Sequence, residues 1–220
     1  MGTRSGSPLG DMKGKVGTIN LTTWKGIWVV KSLPRKTKKV SSEQQCQRSI
    51  FRTVTRFLER ASSTIKLGYQ LPPKPALSEM NMATSHTMLN AVVGEYPDYG
   101  IDLSKLKFSK PIRSIESGWN TNFTMAEDLS PVVTWGINLF PDKATRWDDT
   151  AIIVIYDGIR QRFFTKEGIE RRALKYSFVE GDRIKFAGHE IGCWLFFRSA
   201  DGRYVSETEY LGMIKMPAIE

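Results

Sequence analysis

Apolar residues at Cys46, Ile50, Val54, Phe57, Leu58, Ala61 and Ile65 recur at steps of three and four, a spacing that gathers side chains on one face of a helix. The pattern predicts a helix from about residue 42 to 66. Ser41 and Ser42, with Gln44 and Gln45 three residues on, offer alternative capping boxes, and Gly68 is placed to close the helix. After the rigid break "LPPKP", Ser78 opens a second helical pattern with Met80, Ala83, Thr87, Met88, Ala91 and Val92 on one side until Gly94. The methionines read as core filler, and "YPDYG" reads as a turn.

Before these helices, "TINLTTW" and "IWVVKSL" read as two strands around Trp24-Lys25-Gly26, a predicted hairpin preceded by a flexible segment rich in glycine. From about Leu106 the pattern changes to short runs rich in Val, Ile, Phe, Tyr and Trp. These are "NFTMA", "VVTWGI", "AIIVIYD", "RQRFFT", "ALKYSF", "CWLFFRS" and "YVSETEYLG". Asp157-Gly158, Glu180-Gly181-Asp182 and Asp201-Gly202 between them read as turns. The fold expected is α+β: an N-terminal β-hairpin and two helices, followed by an antiparallel immunoglobulin/fibronectin-like β-sandwich. The corresponding domains are residues 1–105, basic hairpin and helical, and 106–220, the sandwich. Trp135 and Trp194 are expected between its sheets.

Charge sharpens this division. Residues 1–75 hold 15 Lys and Arg against 3 Asp and Glu, and residues 76–220 hold 17 against 20, giving +12 and −3. Such an asymmetry fits a simple solvated face, or an anionic partner steered to the N-terminal third. Within that third, "WKGIWVVKSLPRKTKKV" sets Trp24 and Trp28 beside Lys36, Lys38 and Lys39 without one acidic residue. Arg48, Arg52, Arg56 and Arg60 then form a stripe at four-residue steps on the first helix. Like charges on neighbouring turns repel by a few tenths of a kcal/mol per pair unless something neutralises them. These nine residues are the candidate partner-binding set. Basic residues among aromatics suit nucleic-acid bases and phosphates, or an acidic protein surface with indole anchors. For the two tryptophans, packing in a small core is the plain alternative.

Little catalytic chemistry is legible. His86 and His189 have no partner ligands at zinc spacing, so no metal and no cofactor is expected. "GDMKGKV" has three residues between Gly10 and Gly14 where a phosphate-binding loop needs four, and Val16 replaces the magnesium-binding hydroxyl. Asp148 and Asp149 precede a strand, where a polar turn is expected. No serine stands in a nucleophile elbow, and Cys46 and Cys193 read as small core residues. No apolar leader or membrane span is visible, which predicts no direct membrane insertion and a cytoplasmic location by default. The chain is expected to be a non-enzymatic protein-binding or structural module; the alternative is a nucleic-acid-binding protein without sequence preference.

Several motifs also carry a resemblance. Gly14-Lys15-Val16-Gly17, Trp24-Lys25-Gly26, Lys31-Ser32-Leu33-Pro34, Gln44 with Arg48 and Phe51, Asn90-Ala91-Val92, Tyr96-Pro97-Asp98, Ser199-Ala200-Asp201-Gly202 and Tyr210-Leu211-Gly212 follow one another along the chain. In this order they resemble a family of uncharacterised proteins from Bacteroidota. That family implies no enzyme activity and no catalytic residues. In size and general character the chain also resembles the plug subunit of the type 9 secretion translocon. This second resemblance implies an outer-membrane translocon as partner and a place at the periplasmic face of the outer membrane.

Overall fold

The computed structural model describes residues 2–4, 13–33, 39–73, 77–127 and 129–218. By compactness the chain falls into two units, residues 1–45 with 73–76 and residues 46–72 with 77–220.

The smaller unit holds a four-stranded antiparallel sheet of β1 (Gly2–Arg4), β2 (Gly14–Val16), β3 (Ile19–Trp24) and β4 (Ile27–Ser32), in the order β1-β4-β3-β2. The predicted hairpin is its centre. Lys25 and Gly26 both have positive φ, 47° and 78°, as a two-residue turn needs if it is to match the strand twist. Two further strands flank the hairpin in the glycine-rich region expected to be flexible. Trp24 pairs with Ile27 and Trp28 with Thr23, and successive side chains of a strand point to opposite faces. The two indoles therefore sit on opposite faces of the sheet.

In the larger unit, the predicted first helix is two: α1 (Ser42–Glu59), which begins within the smaller unit, and α2 (Ser62–Gly68). The Ser41 hydroxyl accepts the Gln44 N–H at 3.3 Å, which caps the start of α1. The break falls at Arg60–Ala61, where the Ala61 N–H reaches back three residues to Leu58 and Ala61 leaves helical geometry (φ −110°, ψ 17°). The apolar face continues through the break, because Val54, Leu58, Ala61 and Ile65 are all buried. Gly68 ends α2, but its need for glycine comes from proximity: a Cβ there would lie 2.2 Å from the Phe108 carbonyl oxygen. Helix α3 (Glu79–Asn90) starts as predicted, with the Ser78 hydroxyl accepting the Asn81 N–H. It stops four residues before Gly94, and a hairpin of β5 (Val92–Glu95) and β6 (Asp98–Ile101) follows.

All seven predicted C-terminal strands form. They are β7 (Trp119–Met125), β8 (Pro131–Gly136), β9 (Thr150–Asp157), β10 (Arg162–Glu170), β11 (Lys175–Ser177), β12 (Glu190–Arg198) and β13 (Glu209–Lys215). They make a four-stranded sheet ordered β10-β9-β12-β13 and a three-stranded sheet ordered β11-β8-β7, with antiparallel pairing throughout. Glu180-Gly181-Asp182 is no turn; it opens α4 (Glu180–Phe186). Phe186 of that helix is buried, and acidic residues at Glu180 and Asp182 suit the positive end of a helix.

Strands β9 and β12 explain the architecture. Almost every residue of "TAIIVIYD" and "EIGCWLFFR" is buried, the mark of strands covered on both faces. Alternate residues serve two cores. Ile152, Val154, Tyr156, Trp194 and Phe196 join Val54, Leu58, Ile65 and Ala83 from the helices. Ala151, Ile153, Ile155, Cys193, Leu195 and Phe197 join Phe123, Val133, Trp135 and Phe178 on the side of the three-stranded sheet. Residues on either side of 105/106 thus share the first core. Trp135 lies between the sheets as expected. Trp194 does not: it is buried on the helical face, stacked edge-on against Phe108 with 5.2 Å between ring centres. Even-numbered residues of β12 point to the helices, so position 194 cannot face the other sheet.

Either tryptophan changed to alanine removes a large buried side chain and leaves a cavity. Trp135→Ala and Trp194→Ala should each lower unfolding free energy by about 3–5 kcal/mol, measured by urea denaturation. Unchanged midpoints for both would contradict their places in two shared cores.

Candidate interaction face on helix α1

Helix α1 buries one side and leaves the arginine stripe on the other. Arg48, Arg52, Arg56 and Arg60 are all exposed. A four-residue step advances about 40° around a helix, so the stripe curls across the solvent face and does not run straight along it. Among the described residues, no carboxylate lies within ion-pair distance of any of the four. The curl separates them into two pairs. Arg48 and Arg52 border a groove of about 610 Å³ with Gln47, Phe51, Thr55 and Met88, and Phe51 is 53% exposed. Arg56 and Arg60 border a cleft of about 400 Å³ on the other flank.

The cleft brings together residues far apart in the chain: Thr53, Arg56, Phe57 and Arg60 from α1 and the residue that follows it, Ile101 and Leu103, and Tyr156 with Gln161 at the β9–β10 turn. Arg60 is held here. Its Nη1 donates to the main-chain oxygen of Gln161 at 3.1 Å and to Gln161 Oε1 at 2.9 Å. The turn that presents Gln161 is itself built by Asp157, whose Oδ1 accepts the N–H groups of Ile159 and Arg160, each at 3.0 Å. The other oxygen of Asp157 lies 2.9 Å from His189 Nδ1. Burial alone would raise the Asp157 pKa, but the Arg160 N–H, the His189 contact and the Ile159 N–H outweigh it and hold it below the usual carboxylate range. Tyr156 is the opposite case: burial raises the pKa of its phenol above the usual value despite Arg60 nearby, so the hydroxyl keeps its proton at neutral pH.

The remaining sequence candidates all fall in the smaller unit. Trp24 is exposed, with Lys25 Nζ 5.6 Å from its ring centre. Trp28 is half-buried, with Lys13 Nζ 5.9 Å from its ring. Because they occupy opposite faces of their sheet, one flat surface cannot engage both. Lys39 is exposed, while Lys36 and Lys38 lie outside the described residues. Sequence reading missed Tyr156, Gln161, Ile101 and Leu103, since nothing in local spacing ties them to α1.

Several buried charged groups elsewhere have structural partners, although Asp149 Oδ1 and Arg171 Nε make no hydrogen bond. Asp149 accepts the Arg146 N–H through Oδ2 and faces Arg171 Nε at 3.4 Å, while the Arg171 guanidinium stacks 3.8 Å from the Phe197 ring centre and donates to the Glu116 carbonyl. This buried pair fastens the 137–149 loop to the sheets, and burial raises the Asp149 pKa and lowers that of Arg171. Asp182 receives Lys166 Nζ at 2.8 Å and the Tyr176 hydroxyl at 3.2 Å, which holds α4 against β10 and β11. Burial, with Asp182 close by, pushes the Tyr176 pKa up to about 12. Both cysteines are free, and burial raises the Cys193 thiol far above its ordinary value. Among the described residues, no group of three or more His, Cys, Asp or Glu is placed to hold a metal ion, and no helix is long and apolar enough to cross a membrane.

The model of a family of unknown function, DUF6266, matches residues 11–212. The chain belongs to that family. The DUF6266 match spans every motif that carried the resemblance to an uncharacterised family; it gives no source organism and no tie to a secretion translocon. No curated protein matches the chain.

Asp157 offers a test of how the cleft is built. Its folded-state pKa is depressed, so its contribution is fully present above the unfolded carboxylate pKa and is lost as pH falls through the folded value. Asp157→Asn should cost about 1–3 kcal/mol at pH 7, with the gap from the parent protein closing as pH drops below the ordinary carboxylate range. Urea melts from pH 7 to pH 3 would show it. A gap independent of pH would refute the charged role.

Proposed function

We propose that this DUF6266 chain is a non-enzymatic protein-binding module whose α1 arginine face docks on an acidic protein surface. The observation that carries the reading is the set of four exposed guanidiniums at four-residue steps, three on α1 and Arg60 just past its end, with no carboxylate in ion-pair distance among the described residues. Their mutual repulsion is relieved when a partner supplies carboxylates, and guanidiniums pair with carboxylates through two parallel hydrogen bonds. The buried ionisable groups support a structural part for the remainder, since Asp149–Arg171, Asp182–Lys166 and Asp157–His189 each fasten a loop or helix.

The scaffold under this face is, in our reading, an immunoglobulin/fibronectin-like sandwich. Seven strands divide three and four between two sheets, and β11 crosses to join the sheet of β7 and β8 before the chain returns to pair β12 with β9. This is the kind of connection such sandwiches use. The helices then serve as a third layer, which presents α1 on a rigid base.

Replacing Arg48, Arg52, Arg56 and Arg60 together by glutamine should leave folding nearly intact, because exposed substitutions shift stability little. In nuclease-treated native extract, the parent protein should retain acidic proteins that salt releases, and the quadruple variant should lose them. Equal retention with the same salt sensitivity would refute the docking face. Tight, salt-sensitive binding of unrelated DNA or RNA by the parent protein, lost in the quadruple variant, would replace a protein partner with nucleic acid.

A further inference from the structure

We propose that the cleft between the end of α1 and the β9–β10 turn is an anchor subsite, taking one Asp or Glu side chain that stands beside an apolar residue on the partner chain. The proposal rests on the docking reading of α1 and adds which part of the face selects the partner.

Four observations carry it. The cleft's volume, about 400 Å³, suits a side chain or two. Its rim holds two guanidiniums, and its lining is mixed: Phe57, Ile101 and Leu103 are apolar, while Tyr156 contributes a hydroxyl with no hydrogen-bond partner among the described residues. Arg60 is fixed before any ligand arrives, since both its contacts to Gln161 use the same Nη1 atom and leave Nε and Nη2 for a carboxylate. A donor already held in place loses less freedom on binding than a free one. Finally, the aromatic rings are closed to stacking. Phe57 packs on Tyr156 at 5.5 Å and edge-on against Phe163 at 5.2 Å, and Tyr156 packs on Phe163 at 4.8 Å. A nucleic-acid site of this charge would instead offer open ring faces to bases.

Arg48 and Arg52 lie outside this cleft, along the other groove. They supply attraction over distance, and Arg56 with Arg60 supply selection at contact. The assignment separates charge from geometry. Lysine at position 60 keeps the charge but loses the planar fork. Glycine at position 161 removes the Oε1 contact, keeps the main-chain oxygen, and suits the positive φ of 51° found there.

The test is fluorescence anisotropy with a labelled peptide of alternating Glu and Leu, its Gln-for-Glu counterpart, and a labelled single-stranded oligonucleotide. The parent protein should bind the Glu-Leu peptide at least about tenfold more tightly than the Gln-Leu peptide or the oligonucleotide. Arg60→Lys and Tyr156→Phe should each weaken Glu-Leu binding several-fold, Gln161→Gly by less, with melting temperatures near the parent's. The double variant Arg48→Gln/Arg52→Gln should weaken Glu-Leu binding mainly at low salt and keep the preference over the Gln-Leu peptide, while capturing less acidic protein from extract. Equal binding by Arg60→Lys and the parent, equal binding of both peptides, or preference for the oligonucleotide would overturn the anchor, and the docking face would still stand or fall by the quadruple variant. Cleft-dependent peptide binding alongside undiminished capture by the quadruple variant would keep the anchor and remove the docking reading.

Discussion

The fold hangs on one pair of strands. Strands β9 and β12 lie side by side with Val154 opposite Trp194 and Ile155 opposite Cys193, so each rung of the pair feeds a different core. Burial of apolar surface is roughly proportional to area, and a strand buried on one face only would forgo half of it. Covering both faces requires two separate layers, the helices on one side and the three-stranded sheet on the other. It also removes any polar residue from the middle of either strand. The layers cannot form independently of this pair, because the same main-chain hydrogen bonds position the side chains of both.

The candidate site inherits its precision from that arrangement. Strand β9 ends at Asp157, which turns the chain and sets Gln161 under Arg60. Helix α1 is fixed over the same strand by Val54 and Leu58. Arg60 and Gln161 are 101 residues apart, yet the contact between them depends on only two elements, each anchored in one core. Arg48 lies farther back on α1 and lacks such a tether among the described residues. One helix therefore offers a held guanidinium at one end and loosely held charge toward the other.

Elements with a strong period were legible in the sequence. The Val54–Leu58–Ala61–Ile65 stripe, the Ser78 cap, the Lys25-Gly26 turn and all seven C-terminal strands follow from spacing and turn chemistry alone. The break at Arg60–Ala61 was not, for neither proline nor glycine marks it and the apolar stripe runs on without interruption. The side of Trp194 was not either. An unbroken apolar run such as "GCWLFF" says that both faces are covered, but it carries no sign of which cover lies on which face. The change in pattern near residue 106 marks no boundary between helix and strand, since α3 ends at Asn90 and the β5–β6 hairpin already lies before it, and the first core takes residues from both sides. Of the site, the arginine stripe was visible as four-residue steps. The cleft beside it was not, because Ile101, Tyr156 and Gln161 meet α1 only through the tertiary fold.

Gly68 shows how such a fold constrains its own drift. Alanine is ordinarily the better helix former by about 1 kcal/mol, and nothing in the φ of Gly68 forbids it. Yet an added methyl group there would sit 2.2 Å from the Phe108 carbonyl oxygen, and Phe108 carries the ring on which Trp194 rests. The strain would leave the helix where the methyl was added and emerge as a loosened indole on β12. At this position, a change that favours the helix works against the packing behind it.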